Sequence, residues 1–275
     1  WRPRGWARVP NSAGRVDGGR RHARAGPAGS QGGGVVSGQA EAGRAFPAVQ
    51  RGVDGGSVLA EGFGIGRGAG GQSQGFGMAG YDAEQAARQG LRCLAFSNGP
   101  AAMAPWGGNA PLYGTNPVAF ASPREQGEPL VIDLSLSEVA RGKIMLASQR
   151  KEAIPLGWAI DRQGNPTQDA DAALAGSMAP AGGAKGAARA LMVALLTAGL
   201  TGSHFGFPAS SLFSAEGEPP PPAQLLLLPH PAFLPPPYFH PSQFPSPPLP
   251  APTRLVLPAA RPPALPGPAP LTLRS

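Results

Sequence analysis

The chain has 275 residues and a formal net charge of +7, and Gly and Pro together make up more than a quarter of it. This length permits one large domain or two small ones, but average proteins contain only about 12% Gly and Pro. Because Cys93 is the single cysteine, an internal disulfide and a cysteine-rich metal site are excluded, and no metal is predicted. A reducing, cytoplasmic location fits this cysteine usage.

Neither a signal peptide nor a membrane partner is predicted. No apolar stretch follows the basic residues near the N-terminus. The longest nearly apolar segment, residues 187–200, contains Arg189 and is too short to cross a bilayer comfortably. We interpret it as a buried helix.

Residues 1–77 are predicted to form a degraded or disordered segment rich in Gly and Arg. Residues 1–44 show no hydrophobic period, so they offer little apolar surface to offset the loss of chain entropy. A faint helical pattern of apolar residues follows after residue 45, which Gly52, Gly55 and Gly56 weaken. The arginines form a basic arm, but no aromatic residues are interleaved to stack on bases, so no nucleic-acid partner is predicted.

Residues 66–71 satisfy the G-x-G-x-x-G pattern of dinucleotide-binding loops. That pattern functions only when a strand leads into it and a helix leads out of it. Because the surrounding residues are themselves rich in glycine, we interpret the match as accidental.

The composition changes at Met78, and residues 78–219 are predicted to form an α/β domain. Helices are expected over residues 79–90 and 137–151 and over the apolar segment that follows Gly182 and Gly183, with strands over residues 91–96, 118–121, 130–134 and 158–161. Residues 220–275 are predicted to form a proline-rich disordered tail, because proline lacks a backbone donor and interrupts helices and central strands. Such a tail can also serve as a ligand for SH3 or WW domains, which we consider the weaker interpretation.

Six short motifs occur in order within residues 78–219. They are Phe96-Ser97-Asn98-Gly99-Pro100, Ala104-Pro105-Trp106-Gly107-Gly108, Tyr113-Gly114-Thr115-Asn116-Pro117, Val131-Ile132-Asp133-Leu134-Ser135, Ala140-Arg141-Gly142-Lys143 and Gly182-Gly183-Ala184-Lys185-Gly186. Together they resemble the malate/L-lactate dehydrogenase family, which includes ureidoglycolate dehydrogenase and imine or keto-acid reductases. The resemblance implies a mixed sheet with flanking helices, a non-Rossmann cofactor domain, NAD or NADP as cofactor, a small-molecule 2-hydroxy or 2-keto acid substrate, and a homodimer.

Asp133 lies at the end of a predicted strand, where its carboxylate can accept hydrogen bonds from a ribose diol. The alternative is that Asp133 caps a helix beginning near Ser137. The resemblance implies that Asp133, Leu134 and Ser135 contact the cofactor.

Lys185 lies at a predicted helix start, where exposed amides and an ammonium group suit a pyrophosphate or a carboxylate. A solvated lysine is the alternative. The resemblance implies that Lys185 binds the cofactor, and that Gly99 contributes through its backbone at a position where relatives often have a small residue.

No catalytic residue is assigned. The resemblance implies a histidine within a Ser-x-His-x-Gly stretch directly before the helix near Ala79, which would serve as the acid at the substrate carbonyl. Here that stretch reads Ser73-Gln74-Gly75-Phe76-Gly77, so Gly75 stands at the histidine position. His204, in Ser203-His204-Phe205-Gly206, imitates the motif, and we interpret it as a surface histidine.

The sequence therefore predicts an oxidoreductase that transfers hydride between NAD(P) and a 2-hydroxy or 2-keto acid, as an impaired, fragmentary family member. We also expect that both ends derive from out-of-frame translation. The alternative is a non-enzymatic interaction protein with basic and proline-rich arms, which predicts no nicotinamide binding.

Overall fold

A computed structural model of the chain describes residues 29–31, 35–39, 45–71, 78–124, 127–206, 223–233 and 254–256. The strands are β1 (Gly29–Gln31), β2 (Val35–Gln39), β3 (Ile65–Gly71), β4 (Cys93–Ser97), β5 (Val118–Ser122), β6 (Leu130–Leu134), β7 (Ala159–Ile160), β8 (Ser177–Met178), β9 (Gln224–Pro229) and β10 (Arg254–Val256). The α-helices are α1 (Ala45–Phe63), α2 (Ala79–Arg88), α3 (Arg141–Arg150), α4 (Ala170–Ala175) and α5 (Ala184–Ala194). A π-helical turn, Leu195–Gly199, continues α5, and a 3-10 helix, Pro231–Phe233, follows β9.

Eight strands form one mixed sheet in the order β1-β2-β3-β9-β4-β5-β6-β10. The pairs β2–β3 and β6–β10 are parallel, and the other neighbours are antiparallel. Buried residues of α1 and α2 pack with Ala95, Val131 and Leu226 into one core. A second core contains Phe96 and Leu225 together with residues of α3, α4 and α5. The predicted mixed sheet with flanking helices is confirmed.

The strand β9 corrects the prediction that the chain is disordered from residue 220 onwards. It lies between β3 and β4 in the sheet, and its side chains alternate between the two cores, with Leu225 in one and Leu226 and Leu228 in the other. A short continuous run of leucines is typical of a strand buried on both faces. The surrounding prolines conceal this signal in the sequence.

The helix α1 and the strand β3 correct the prediction of disorder before Met78. A Cβ on Gly68 would lie 2.5 Å from the carbonyl oxygen of Gly52, and a Cβ on Gly66 would overlap the carbonyl oxygen of Gly56. The glycines therefore allow the helix and strand backbones to touch, although glycine lowers intrinsic helix propensity. Residues 66–71 lie within β3 and form no loop.

One predicted helix begins at another residue than expected. The helix expected from residue 137 begins at Arg141, because residues 136–138 hydrogen-bond in extended form with residues 179–181. The helix predicted to follow Gly182 and Gly183 begins at Ala184, as expected. Within the described part of the chain, none of the helices has the length and apolar content needed to cross a membrane.

Candidate functional site

Asp133 lies near the end of β6 and faces α2. Its Oδ2 accepts a hydrogen bond of 2.9 Å from the backbone N–H of Gly80. A Cβ on Gly80 would lie 3.0 Å from the Cβ of Asp133, so the helix packs tightly on the carboxylate. Asp133 therefore binds the first turn of α2, where a negative charge is favourable. It does not cap a helix at Ser137, which is the alternative that the sequence allows.

Asp82 is a second carboxylate near Asp133, and no sequence motif points to it. It is 1% exposed, and neither of its carboxylate oxygens has a hydrogen-bond partner among the described residues. Burial raises the pKa of Asp82 to about 7, and the negative charge of Asp133 contributes to this increase. Burial, with a smaller contribution from Asp82, also raises the pKa of the Cys93 thiol to about 12. Asp82 is thus partly protonated at neutral pH.

Ser135 connects the end of β6 to the turn containing Thr115. The hydroxyls of Ser135 and Ser137 share a hydrogen bond of 2.6 Å, and the Ser135 hydroxyl donates to the Thr115 carbonyl at 3.4 Å. Leu134 is half-buried and pairs with Val118 of β5. Leu134 and Ser135 therefore belong to an ordered strand end.

Asn116 holds three segments of the site together. It is fully buried, with φ of 39°. Its Nδ2 donates to the carbonyl of Ala190 in α5 at 2.8 Å, and its Oδ1 accepts from the N–H of Gly99 at 3.3 Å. Asn tolerates this left-handed backbone region better than most residues. The turn signal is visible in the sequence, whereas the two side-chain partners depend on tertiary structure.

The loop at Gly99 is fixed by its neighbour Asn98. The Asn98 side chain donates to the carbonyl of His204 at 2.9 Å and accepts from the N–H of Ala223 at 2.7 Å. The side chain of His204 is exposed, in agreement with the surface histidine expected from the sequence. Gly75, at the expected position of the acid, lies outside the described residues.

Lys185 is exposed in the first turn of α5, which begins after Gly182 and Gly183, two glycines with positive φ. The residues before these glycines pair with the continuation of β6. Ala181 donates its N–H to the carbonyl of Leu136 at 2.9 Å. This pairing brings the strand end that carries Asp133 beside the segment that leads into α5.

A cavity of about 630 Å³ opens next to the start of α5. Its walls come from three segments of the chain, which include the ends of β7 and β8. Its lining residues are Ala104, Pro105, Trp106, Gly107, Gly108, Asn109, Ile160, Gln163, Gly164, Met178, Ala179 and Pro180. The indole of Trp106 would lie 3.2 Å from a Cβ on Gly183, so its ring rests on the glycine turn before α5. None of the five residues predicted to bind cofactor lines this cavity.

Lys185 and Asp133 carry groups that suit two different parts of a dinucleotide. The ammonium of Lys185 and the amides in the first turn of α5 suit phosphates, and the strand-end carboxylate of Asp133 suits a sugar hydroxyl. The described residues include no group of three or more His, Cys, Asp or Glu that could hold a metal ion.

Comparison with known proteins supports the resemblance seen in the sequence. A family model described as malate/L-lactate dehydrogenase matches residues 2–240. The match is therefore wider than residues 78–219, the span to which the sequence resemblance is limited.

Among curated relatives, the (2R)-3-sulfolactate dehydrogenase (NADP(+)) of Chromohalobacter salexigens is 60% identical over 200 residues, which are 73% of this chain and 60% of that protein. The structure of a dehydrogenase from Sinorhizobium meliloti superimposes with a TM-score of 0.77 at 34% identity, over 82% of this chain and 66% of that one. A delta1-piperideine-2-carboxylate reductase from Pseudomonas syringae gives a TM-score of 0.75 at 35% identity, over 82% and 68% of the two chains. The chain thus matches 60% of the length of the sulfolactate dehydrogenase.

Proposed function

The chain belongs to the malate/L-lactate dehydrogenase family, and on that premise we propose that it is an NAD(P)-dependent oxidoreductase of 2-hydroxy and 2-keto acids or related imines. The observation that carries the proposal is the pairing of Leu136 with Ala181, which joins the strand end at Asp133 to the start of α5 at Lys185. The names of the relatives support this class of reaction. NADP is the preferred cofactor, because the relative at 60% identity is named for it.

A bound nicotinamide cofactor supplies or accepts the hydride, and the chain positions it. The ammonium of Lys185 and the first-turn amides of α5 would hold the pyrophosphate, and each favourable charge at an exposed helix terminus contributes about 0.3–1 kcal/mol. Asp133, which holds the N-terminus of α2 through the N–H of Gly80, would accept a hydrogen bond from a ribose hydroxyl. Leu134 and Ser135 would contact the cofactor from the same strand end, and Gly99 would contact it through its backbone.

Asn116 is a positioning residue for these segments. Its two hydrogen bonds tie the Gly99 loop to the middle of α5, and Ser135 bonds to the same turn through Thr115. The relative position of the loop, the strand end and the helix therefore depends on one buried carboxamide.

The chemical step is weak in this chain, because Gly75 stands where the resemblance implies a histidine. Proton transfer by a positioned side chain contributes about 10²- to 10⁴-fold in rate. We therefore propose that cofactor binding persists while turnover is impaired, in a fragmentary member of the family.

The assembly in this proposal is a cytoplasmic homodimer. An apolar set of side chains is exposed along α5 and the turn that follows it, and it comprises Leu191, Met192, Leu195 and Leu200. Exposed apolar patches of this kind mark protein interaction sites, and a second copy of the chain would cover this one.

Binding of NADPH and NADH to the full chain, measured by calorimetry, tests the proposal. Lys185→Ala should weaken binding several-fold, with a smaller effect at high salt because the interaction is between charges. Lys151→Asn is a matched control: it removes one exposed positive charge, and Asn tolerates the φ of 56° at Lys151. Failure of the unmodified chain to bind either nucleotide would favour the alternative of a non-enzymatic interaction protein.

A further inference from the structure

We propose that the cavity beside Trp106 binds the adenine ring of the dinucleotide, with the Trp106 indole as the stacking surface. The inference rests on the proposed function and adds the position of one end of the cofactor. It also assigns a ligand-binding role to a residue that the sequence shows only as part of a motif.

Trp106 is 66% exposed, although tryptophan is among the side chains that gain most from burial. Part of its ring rests on Gly183, and the adjoining Gly107 and Gly108 carry no side chains that would cover it. A large aromatic surface is therefore presented beside a cavity. Aromatic bases stack on such surfaces, and the interaction is typically lost with the ring.

The turn that carries Trp106 is held by hydrogen bonds at both of its ends. Gly108 donates its N–H to the carbonyl of Pro105 at 2.9 Å, and Ala104 donates to the hydroxyl of Ser177 at 2.6 Å. The Asn109 side chain donates to the carbonyl of Arg162 at 3.2 Å, which ties the turn to the opposite wall. The cavity is therefore preformed, so a ligand would not have to order its walls.

The size and lining of the cavity suit a nucleobase. Its volume of about 630 Å³ lies within the range of roughly 300–1,000 Å³ common for small-molecule sites. The exposed side chain of Gln163 offers an amide that both donates and accepts hydrogen bonds, which matches the edge of an adenine. A second cavity, of about 240 Å³, is lined mainly by apolar atoms and is smaller than this range.

The position of Trp106 is consistent with the phosphate and ribose contacts of the proposed function. The ring touches Gly183, two residues before Lys185, so an adenine there would place its phosphates near the start of α5. The distance from Ala181 to Leu136 is one interstrand spacing, about 5 Å. The distance from Leu136 back to Asp133 is at most about 10 Å, because Leu136 follows Asp133 by three residues of extended chain. The nicotinamide end would therefore lie toward Asp133 and α2.

The test uses the full chain with three probes: NADPH, adenosine 5′-monophosphate and nicotinamide mononucleotide. Trp106→Ala should weaken binding of NADPH and of the adenosine probe about tenfold or more, because base stacking is lost. Trp106→Phe should retain most of the affinity, and binding of nicotinamide mononucleotide should not change. Leu156→Ala is the matched control, because Leu156 is a similarly exposed apolar side chain that does not line the cavity.

The outcomes separate this inference from the proposed function. If the unmodified chain binds NADPH and Trp106→Ala binds it equally well, the adenine site is wrong while the cofactor function stands. If Trp106→Ala weakens binding of nicotinamide mononucleotide instead of adenosine 5′-monophosphate, the assignment of the adenine ring to this cavity is wrong. If the unmodified chain binds no dinucleotide, both are overturned. Equal melting temperatures of the variants show that the differences arise from the site.

Discussion

The side chain of Asn116 donates a hydrogen bond of 2.8 Å to the backbone carbonyl of Ala190, from a turn before β5 to the middle of α5. A helix carbonyl of this kind normally accepts only from the helix itself, and here it also receives a buried side chain. The same carboxamide accepts from the N–H of Gly99. One residue therefore sets the spacing between a loop and a helix that are both assigned to the cofactor site.

Asn116→Ala should destabilise the protein by about 1–3 kcal/mol, because it removes the two hydrogen bonds of a buried side chain. Asn116→Ala can destabilise the protein both by backbone strain and by loss of the hydrogen bonds. Asn116→Gly separates these two causes, since glycine accepts the φ of 39° without strain but lacks the carboxamide. Equal losses in the two variants would assign the effect to the hydrogen bonds. Urea unfolding measures the change, with the exposed Asn165→Ala as control. A loss no larger than that of the control would contradict this role.

Asp82→Asn should remove a pH dependence of stability. The folded protein holds the Asp82 proton up to about pH 7, because its pKa is raised to about 7 from the ordinary value of 3.8. The folded state therefore binds more protons between these values, and stability falls as pH rises from about 4 to about 7. Above pH 7 the Asn variant should be more stable by a few kcal/mol, on the order of 1.4 kcal/mol for each pKa unit.

Unfolding midpoints of the unmodified chain and Asp82→Asn, measured between about pH 5 and pH 8, test this expectation. The informative quantity is the difference between the two proteins, because other groups titrate in both. Asp171→Asn is the control: Asp171 is exposed, and its hydrogen bonds to Ser148 and Lys151 lower its pKa. It should not reproduce the gain at high pH. Parallel curves for the unmodified chain and Asp82→Asn would contradict the prediction.

Gly66→Ala should destabilise the sheet strongly, because the new methyl group would overlap the carbonyl oxygen of Gly56 in α1. Overpacking of this kind costs about 1–3 kcal/mol or more, and the obstacle here is backbone, which cannot rotate away. Gly62→Ala is the matched control in α1. A Cβ there meets nothing within 4 Å, so it should stabilise the helix by about 0.5–1 kcal/mol. Thermal unfolding of both variants distinguishes a packed helix from a loosely attached one.

The glycines of α1 and the leucines of β9 show which parts of the fold can be predicted from the sequence. Alternation and turn residues are sufficient for β4 to β6, because each of these strands is bounded by local signals. The helix α1 leaves only a faint pattern in the sequence, because its glycines lower helix propensity. Those glycines let the helix backbone contact Gly66 and Gly68 of β3, which the sequence does not show. The strand β9 is hidden because its leucines stand among prolines, and only its position between β3 and β4 gives it partners.

In the candidate site, too, some residues can be predicted from the sequence and others cannot. Asp133 and Lys185 can be selected from motifs, because a carboxylate at a strand end and a lysine at a helix start are visible in the sequence. Asp82 cannot be selected from the sequence, since an acidic residue in the first turn of a helix is usually a solvated charge that stabilises the helix. Its burial depends on how α2 packs, and the alanines of that helix are the only indication in the sequence.

Gly75→His should raise turnover if the proposed function is correct. The substitution supplies the side chain that the resemblance places directly before α2, and a positioned general acid contributes about 10²- to 10⁴-fold. Affinity for NADPH should stay the same, because the imidazole acts at the substrate carbonyl. Gln74→His is the control, since it adds the same group one residue away. Initial rates with 2-keto acids and cyclic imines measure the effect. Robust turnover by the unmodified chain, with no gain from the histidine, would show that another residue provides the proton.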